Sequence, residues 1–554
     1  MKRINLAIVT VLCLILLACS PDESGKQELP ALETPQTQLD REPGTGSDNL
    51  NQSPFTWERE LNNLQFVIDN SGTLKLTGKN PGTTINAESL SNREVKGRLT
   101  GAKSVVIGEN IEVIGENAFR DLTGITAVEF RGRVKRIEDH AFDGCSGIKS
   151  IVIGNGICRI GDFAFANCTS VTELRIGDAD TWNKLVIGES AFAGCTALSS
   201  VTVGNGLADS VGKNVFANCG SFTTLYIDSD VPKEMFKNVA SITSVSFTGG
   251  ARSIGVSAFE GCTALNSISF HSALERIGQS AFAGCTEITG IIIDADYVEI
   301  GDSAFSGCSR LSTVTINGRL KSVGNNAFAN CSSLTMASIE SDVPDNMFRK
   351  VSSITTVLLG DNVKTIGKKA FEGCSSLDSI AFPQGLERIG ESAFADCTNI
   401  KDIKIGGSVT EIGEKAFSGC TDLDTVKIFC TGRMTIEDKA FAGCKKLNQV
   451  DFDSAGGAEI YLKDKVFSEC SELTSIDLKA CVKSLGSRVF EKCERLQKVI
   501  IPKASVGEAV FDGCSSLSVI WFRGNQAEWK TLTKNYGWYD GSYYSPNPSK
   551  YNYK

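Results

Sequence analysis

Apolar and polar positions recur along most of this chain with one pattern, and a phenylalanine marks each recurrence. The marks are Phe119, Phe142, Phe165, Phe192, Phe216, Phe236, Phe259, Phe282, Phe305, Phe328, Phe348, Phe371, Phe394, Phe417, Phe441, Phe467, Phe490 and Phe511, most often 23 residues apart. Counted from each Phe, the chain is apolar five residues before it and three, six, nine and eleven residues after it. One unit reads Leu311-Ser-Thr-Val314-Thr-Ile316, then Val323-Gly324-Asn-Asn-Ala327-Phe328-Ala-Asn-Cys331. The last two offsets are two residues apart, which is strand periodicity. Each unit is therefore expected to supply one short strand, such as Val201-Thr202-Val203, and stacked units a parallel sheet along one face. No unit closes a core alone; neighbours bury one another's apolar rows.

All length variation, from 20 to 27 residues, falls outside the stretch from the Phe to its eleventh follower, so the adaptable loops lie across the coil from the strand. The Gly four residues before most Phe residues (Gly115, Gly324, Gly413) reads as a tight turn. Frequent Gly and paired Ser/Thr disfavour long helices. At about 4.8 Å per strand, eighteen coils span on the order of 85 Å. Two short units, Val231-Pro232-Lys-Glu-Met235-Phe236 and Val343-Pro344-Asp-Asn-Met347-Phe348, lie 112 residues apart, which points to a duplicated block of five repeats.

The termini differ. Lys2 and Arg3 precede an apolar stretch from Ile4 to Leu17 that ends Leu16-Leu17-Ala18-Cys19. It is short for a membrane span and reads as a signal peptide over 1–18. The Cys directly after it resembles the bacterial lipobox, which implies acylation of Cys19; the other reading is an ordinary signal peptide with an incidental cysteine. Residues 19–54 carry five of the twelve prolines and are expected to form a disordered tether. Residues 55–110 are read as an N-terminal β cap, 111–525 as the repeats, and 526–554 as a C-terminal cap and aromatic tail, either packed on the last coil or extended from it.

Composition narrows the function. The formal net charge of −9, with no basic run in the repeats, argues against a nucleic-acid partner. Twenty cysteines in an exported chain suggest disulfides, yet fifteen of them, among them Cys145, Cys168, Cys308, Cys331 and Cys397, share the offset three after the Phe. Leu122, Val239 and Val351 fill that slot elsewhere, so it is an apolar core slot, and free Cys behaves there as a small buried hydrophobe. With no C-x-x-C, the cysteines do not read as a metal site. The two histidines, His140 and His271, are 131 residues apart. Asp178-Ala-Asp180 and Asp294-Ala-Asp296 lack the spacing of an EF-hand loop. Neither an enzyme nor a cofactor is expected.

The pattern Ile389-Gly390-Glu-Ser-Ala393-Phe394-Ala-Asp-Cys397-Thr-Asn-Ile400 resembles the BspA-like leucine-rich repeat family, and the resemblance extends over roughly 415 residues. Asp69 to Gly78 resembles the strand that opens the solenoid, and Trp521 to Lys530 the segment that closes it. The resemblance implies an α/β-type right-handed solenoid, strand-rich with short turns or 3-10 segments, of about 18 repeats. The row Phe119, Phe142, Phe165, Phe305, Phe328 and Phe394 would then be structural, together with the cysteine row. It also implies surface proteins of oral and gut bacteria that adhere to host matrix or microbial surface proteins.

The expected working surface is the outward row ten residues after each Phe: Glu129, Val152, Arg175, Thr202, Tyr226, Ser246, Ser269, Ile292, Thr315, Ser338, Leu358, Ala381, Lys404, Lys427, Asp451, Asp477, Ile500 and Trp521. Arg175, Tyr226, Ile292, Leu358, Lys404, Lys427 and Trp521 are the candidate contacts, since large aromatic and Arg side chains dominate binding hot spots. The expected function is a lipid-anchored adhesin. The alternative is a surface component that captures a glycan or peptide for uptake.

Overall fold

The computed structural model describes residues 55–154, 156–177, 184–204, 206–208, 211–525, 528 and 552–553. The eighteen phenylalanines form one unbroken stack. Ring centroids of successive coils lie 5.0 Å apart from Phe119 to Phe142 and 5.8 Å apart from Phe490 to Phe511, with nearly parallel planes. From Phe119 to Phe490 these rings are buried. The coils are numbered 1 to 18 by their phenylalanines below.

The expected strand forms in seventeen of the eighteen coils, beginning at offset eight and in most ending at eleven, and where successive strands pair they do so in parallel without slip. Leu174, Val201, Leu225, Val245 and Ile268 are register partners in turn. A second ladder runs along another side of each coil and was not expected. Its strands are two to four residues long and end on the aliphatic residue five before the Phe, as in Arg159–Ile160, Arg276–Ile277 and Arg388–Ile389. Most of these strands are two residues long with one residue inward, and only the longer ones, such as Val298–Ile300, Arg433–Ile436 and Glu459–Leu462, alternate.

The first ladder is interrupted between Ala127–Phe130 and Ser150–Ile153, between Ser267–Ser269 and Gly290–Ile293, around Leu377–Phe382, and between Gln449–Ser454 and Ser475–Asp477. Each break adjoins a coil whose eleventh follower is Phe instead of an aliphatic residue: Phe130, Phe270 and Phe452 in the coil before the break, and Phe382 in the strandless coil 12 itself. Each ring packs edge-on against the stacked Phe of the next coil, with centroids 6.3, 5.8, 5.7 and 6.5 Å apart. A ring in that slot is bulkier than an aliphatic side chain and disfavours the ~4.8 Å approach that pairing needs, although Phe247, equally edge-on 6.0 Å from Phe259, leaves its strand paired. Phe247, in the same slot, shortens the pairing by one residue, which then ends at Ser246 and Ser269. In coil 12 no strand forms; there Pro383 also lacks the N–H with which neighbours such as Gly360 bond the preceding coil.

The Gly four before the Phe has a different role from the turn expected of it. None of these glycines has positive φ. They are small because the preceding coil's backbone is close: a Cβ on Gly390 would lie 2.7 Å from the carbonyl carbon of Gly367. The left-handed positions are instead two before and two after each Phe. Asn326 and Asn330 flank Phe328 with φ of 57° and 60°. These turns bond from coil to coil in one direction: Phe142 N–H donates to Ala164 O and Gly144 N–H to Ala166 O.

At the N-terminus, Phe55–Leu61, Leu64–Asp69 and Thr73–Gly78 form an antiparallel meander, and Thr73–Gly78 then pairs in parallel with Ser104–Ile107. Two short helices, Ala87–Leu90 and Arg93–Leu99, follow Asn86 and Asn92, whose side chains accept from the first-turn N–H groups. They bury Leu90, Val95 and Leu99 at the end of the stack. At the other end Asn552–Tyr553 lies parallel beside Trp521–Phe522.

Candidate sheet-face interaction surface

Offsets nine and eleven carry the strand's inward side chains, so offset ten points out. In Glu173–Ile176, Leu174 and Ile176 are buried and Arg175 is half-exposed; in Thr224–Ile227, Leu225 and Ile227 are buried and Tyr226 is 48% exposed. Ile292 is 52% and Leu358 40% exposed, and Lys404 and Lys427 are exposed, while Trp521 is half-buried under the Lys498 ammonium, 3.7 Å from its ring centroid. All seven candidate contacts therefore lie on one face.

The parallel register sets the electrostatics of this face. Lys404 pairs with Lys427, and Lys427 with Asp451, so the carboxylate offsets two like charges placed side by side. Asp477 is held by Lys479 at 2.9 Å and by Arg523, which reaches over coil 17 to 3.0 Å. From coil 4 to coil 12, Ser200 to Ala381, offsets eight and ten carry no charged residue. Between coils 1 and 2 the first break opens a pocket of about 280 Å³ lined by Val128, Phe130, Val134, Val152 and Ile157, with Glu129 at its edge.

The sequence reading missed Phe429. The strand Thr425–Cys430 runs two residues longer than Asp402–Ile405 before it, as Gln449–Ser454 after it also does, which turns Phe429 outward beside Lys427 at 43% exposure. The signal was there in the continued alternation Ile428-Phe429-Cys430. It also missed Tyr297, 58% exposed, whose ring lies 4.2 Å beneath the Arg319 guanidinium.

The cysteine row is more than filler. All fifteen thiols at the shared offset donate to the carbonyl oxygen of the preceding coil's Phe, from Cys145 to Phe119 at 2.9 Å through Cys308 to Phe282 at 3.3 Å to Cys514 to Phe490 at 3.0 Å. An aliphatic side chain fills this slot but makes no such bond. Burial pushes the thiols up, Cys145, Cys262 and Cys331 to about 12, so they stay protonated and poorly nucleophilic. All cysteines among the described residues are free.

His140 stacks on Phe163 and its Nδ1 lies 3.0 Å from Asp143. His271 Nδ1 accepts from Ala273 N–H. Among the described residues no group of three or more His, Cys, Asp or Glu side chains could hold a metal ion, and no helix is long and apolar enough to cross a membrane. Cys19, the Asp178-Ala-Asp180 string, the 1–18 and 19–54 segments and most of the tail lie outside the described residues.

A family model described as BspA type leucine rich repeat region matches residues 98–223, 229–344, 341–457 and 435–532. Similar solved structures include a leucine-rich repeat protein from Bacteroides ovatus, 18% identical over 90% of this chain and 100% of that one, with a TM-score of 0.39. A leucine rich cell surface protein from Faecalibacterium prausnitzii is 20% identical over 87% of this chain and 98% of that one, with a TM-score of 0.23. The pneumococcal vaccine antigen PcpA is 14% identical over 87% and 97%, with a TM-score of 0.25. Comparison with curated proteins finds no match.

Proposed function

The chain belongs to the BspA-type leucine-rich repeat family, and on that premise we propose that it is a lipid-anchored binding protein of the bacterial cell surface, an adhesin for host matrix proteins or proteins of other microbes. The observation that carries this reading is the outward row itself. It runs the length of the repeats, is flanked at offset eight mostly by short Ser and Thr side chains that lose little entropy when covered, and is punctuated by large exposed side chains at Tyr226, Ile292 and Leu358. Such a surface suits a large partner docking along many coils, with a few anchors supplying most of the affinity. Anchoring rests on Cys19 after its apolar leader. Each acyl chain contributes about 0.8 kcal/mol per buried CH₂, and the 19–54 segment would hold the repeats away from the membrane.

One observation favours the second reading, capture of a glycan or peptide for uptake. The uncharged, hydroxyl-lined stretch from Ser200 to Ala381, with Tyr226 as a platform, offers hydrogen bonds and a ring face without demanding a charged partner. Solid-phase binding to immobilised matrix proteins and partner bacteria, set against a glycan array, separates the two. Unaltered adhesion in a strain lacking the chain contradicts the adhesin reading.

A further inference from the structure

Large apolar side chains are not scattered over the sheet face. Val152, Tyr226, Ile292, Leu358 and Ile500 stand at offset ten of coils 2, 5, 8, 11 and 17, and Phe429 projects from coil 14. At offset ten the interval is three coils from coil 2 to coil 11, about 14 Å where the strands pair, and six from coil 11 to coil 17, with Phe429 at offset twelve of the intervening coil 14. Apart from Trp521 in coil 18, the other offset-ten positions hold Ser, Thr, Ala or charged residues. Ancestry does not explain the interval. The duplicated block is five coils long and would align Ser246 of coil 6 with Leu358 of coil 11.

We propose that this face recognises a second copy of the chain, packed face to face with the two solenoids antiparallel. This rests on the surface-adhesin reading and names its partner. A two-fold axis along the strand direction between coils 9 and 10 sets coil n opposite coil 19 − n, with like offsets facing. Coils 2, 8, 11 and 17 then exchange their apolar offset-ten residues, while Phe429 of coil 14, at offset twelve, faces Asp228 of coil 5. At offset ten, Ile292 faces Leu358, Val152 faces Ile500 and Arg175 faces Asp477. Thr315 faces Ser338 at the axis, and Lys427 faces the phenol ring of Tyr226.

At offsets eight and ten nothing sets two like charges opposite each other. Glu173 faces Ser475, Asp402 faces Ser244, Lys498 faces Ser150 and Asp451 faces Thr202. Val152 borders the pocket between coils 1 and 2, so the facing Ile500 has an apolar cavity to enter. A strip roughly 85 Å long and about 10 Å wide covers ~850 Å² per copy, the size of a standard specific interface. The antiparallel arrangement also puts the two N-termini at opposite ends. That is the geometry for joining two cells through anchors on each.

The test is sedimentation equilibrium of the detergent-solubilised full-length chain, with the variants Ile292→Glu/Leu358→Glu and Ile292→Lys/Leu358→Lys. Both residues are exposed, so circular dichroism and melting of the variants should match wild type. Wild type is expected to dimerise. Each variant sets like charges across the axis and should weaken dimerisation at least 100-fold, while an equimolar mixture of the two should restore a heterodimer. Vesicles bearing the full-length chain should cluster with the same variant dependence. A wild-type chain that stays monomeric to about 100 μM, or a dimer indifferent to both variants, overturns the self-pairing and leaves binding to other surface partners standing. Loss of matrix-protein binding alone contradicts the adhesin reading without touching the dimer.

Discussion

The thiol of Cys145 donates a hydrogen bond to the carbonyl oxygen of Phe119 in the preceding coil, 2.9 Å away. The same contact recurs at every cysteine of the row, so a residue that packs like a small hydrophobe also ties coil to coil. Cys308→Ala, which opens a small void and removes the bond, should cost on the order of 1–2 kcal/mol. Cys308→Val, which copies the occupant of that slot at Val239 and Val351, should cost less. Urea denaturation of the two variants against wild type measures the difference.

Alkali should unfold the protein. The buried thiols ionise more easily in the unfolded chain, near 9.0, than in the folded one, where Cys145 and Cys219 are held at about 12. A group whose folded pKa is raised contributes stability that is complete below the unfolded value and is lost as pH climbs through the folded one. Melting temperature is therefore expected to be insensitive to these thiols up to about pH 8 and to fall steeply between about pH 9 and 12. Replacing several row cysteines with Val should flatten that fall.

The two glycine positions of the repeat should respond oppositely to substitution. Gly390→Ala forces a Cβ to within 2.7 Å of the Gly367 backbone and is expected to cost ~1–3 kcal/mol. Gly284 is left-handed at φ +73, and a Cβ there meets nothing closer than 3.8 Å. Asn occupies the same conformation at Asn330, so Gly284→Asn should cost under about 1 kcal/mol. Thermal melts of both variants are sufficient.

The edge-on phenylalanines should be separable from the stacked ones. Phe305→Ala, in the middle of the stack, is expected to cost ~3–5 kcal/mol. Phe270→Ile should also lower stability, but by removing the wedge it should let coil 7 pair with coil 8. Hydrogen exchange at Ile292 and Asp294, whose N–H groups face coil 7 as Gly204 N–H faces the coil before it, is then expected to slow even though the melting temperature drops. Unchanged exchange there would show that something other than the ring holds the strands apart.

Much of this was legible because the repeat supplies eighteen readings of one register. The stacked Phe, the inward pair at offsets nine and eleven and the outward row follow from period alone. What stayed hidden lacks a period of its own. In most coils the second ladder is a two-residue strand with a single inward residue, so Ile160 or Ile389 looks like any buried aliphatic. The reason for Gly390 is a distance to another coil, and the thiol bond of Cys145 depends on where a carbonyl points. Phe130, Phe270, Phe382 and Phe452 read as conservative substitutions for Ile until their ring depth is compared with the spacing of paired strands. The candidate contacts were legible as a face, and only the structure set Phe429 beside Lys427.

That the sheet face is the working surface is tested most directly by comparing wild type with the triple variant Arg175→Glu, Tyr226→Ala, Leu358→Glu. The readout is binding to the strongest partner found among immobilised matrix proteins and intact partner bacteria. A second variant, Arg276→Glu with Arg388→Glu, alters the outward side of the other ladder. The expected result is at least a tenfold loss of affinity, about 1.4 kcal/mol, in the triple variant alone, with unchanged melting. Equal binding by the triple variant and wild type, or a loss confined to the second variant, would contradict the assignment.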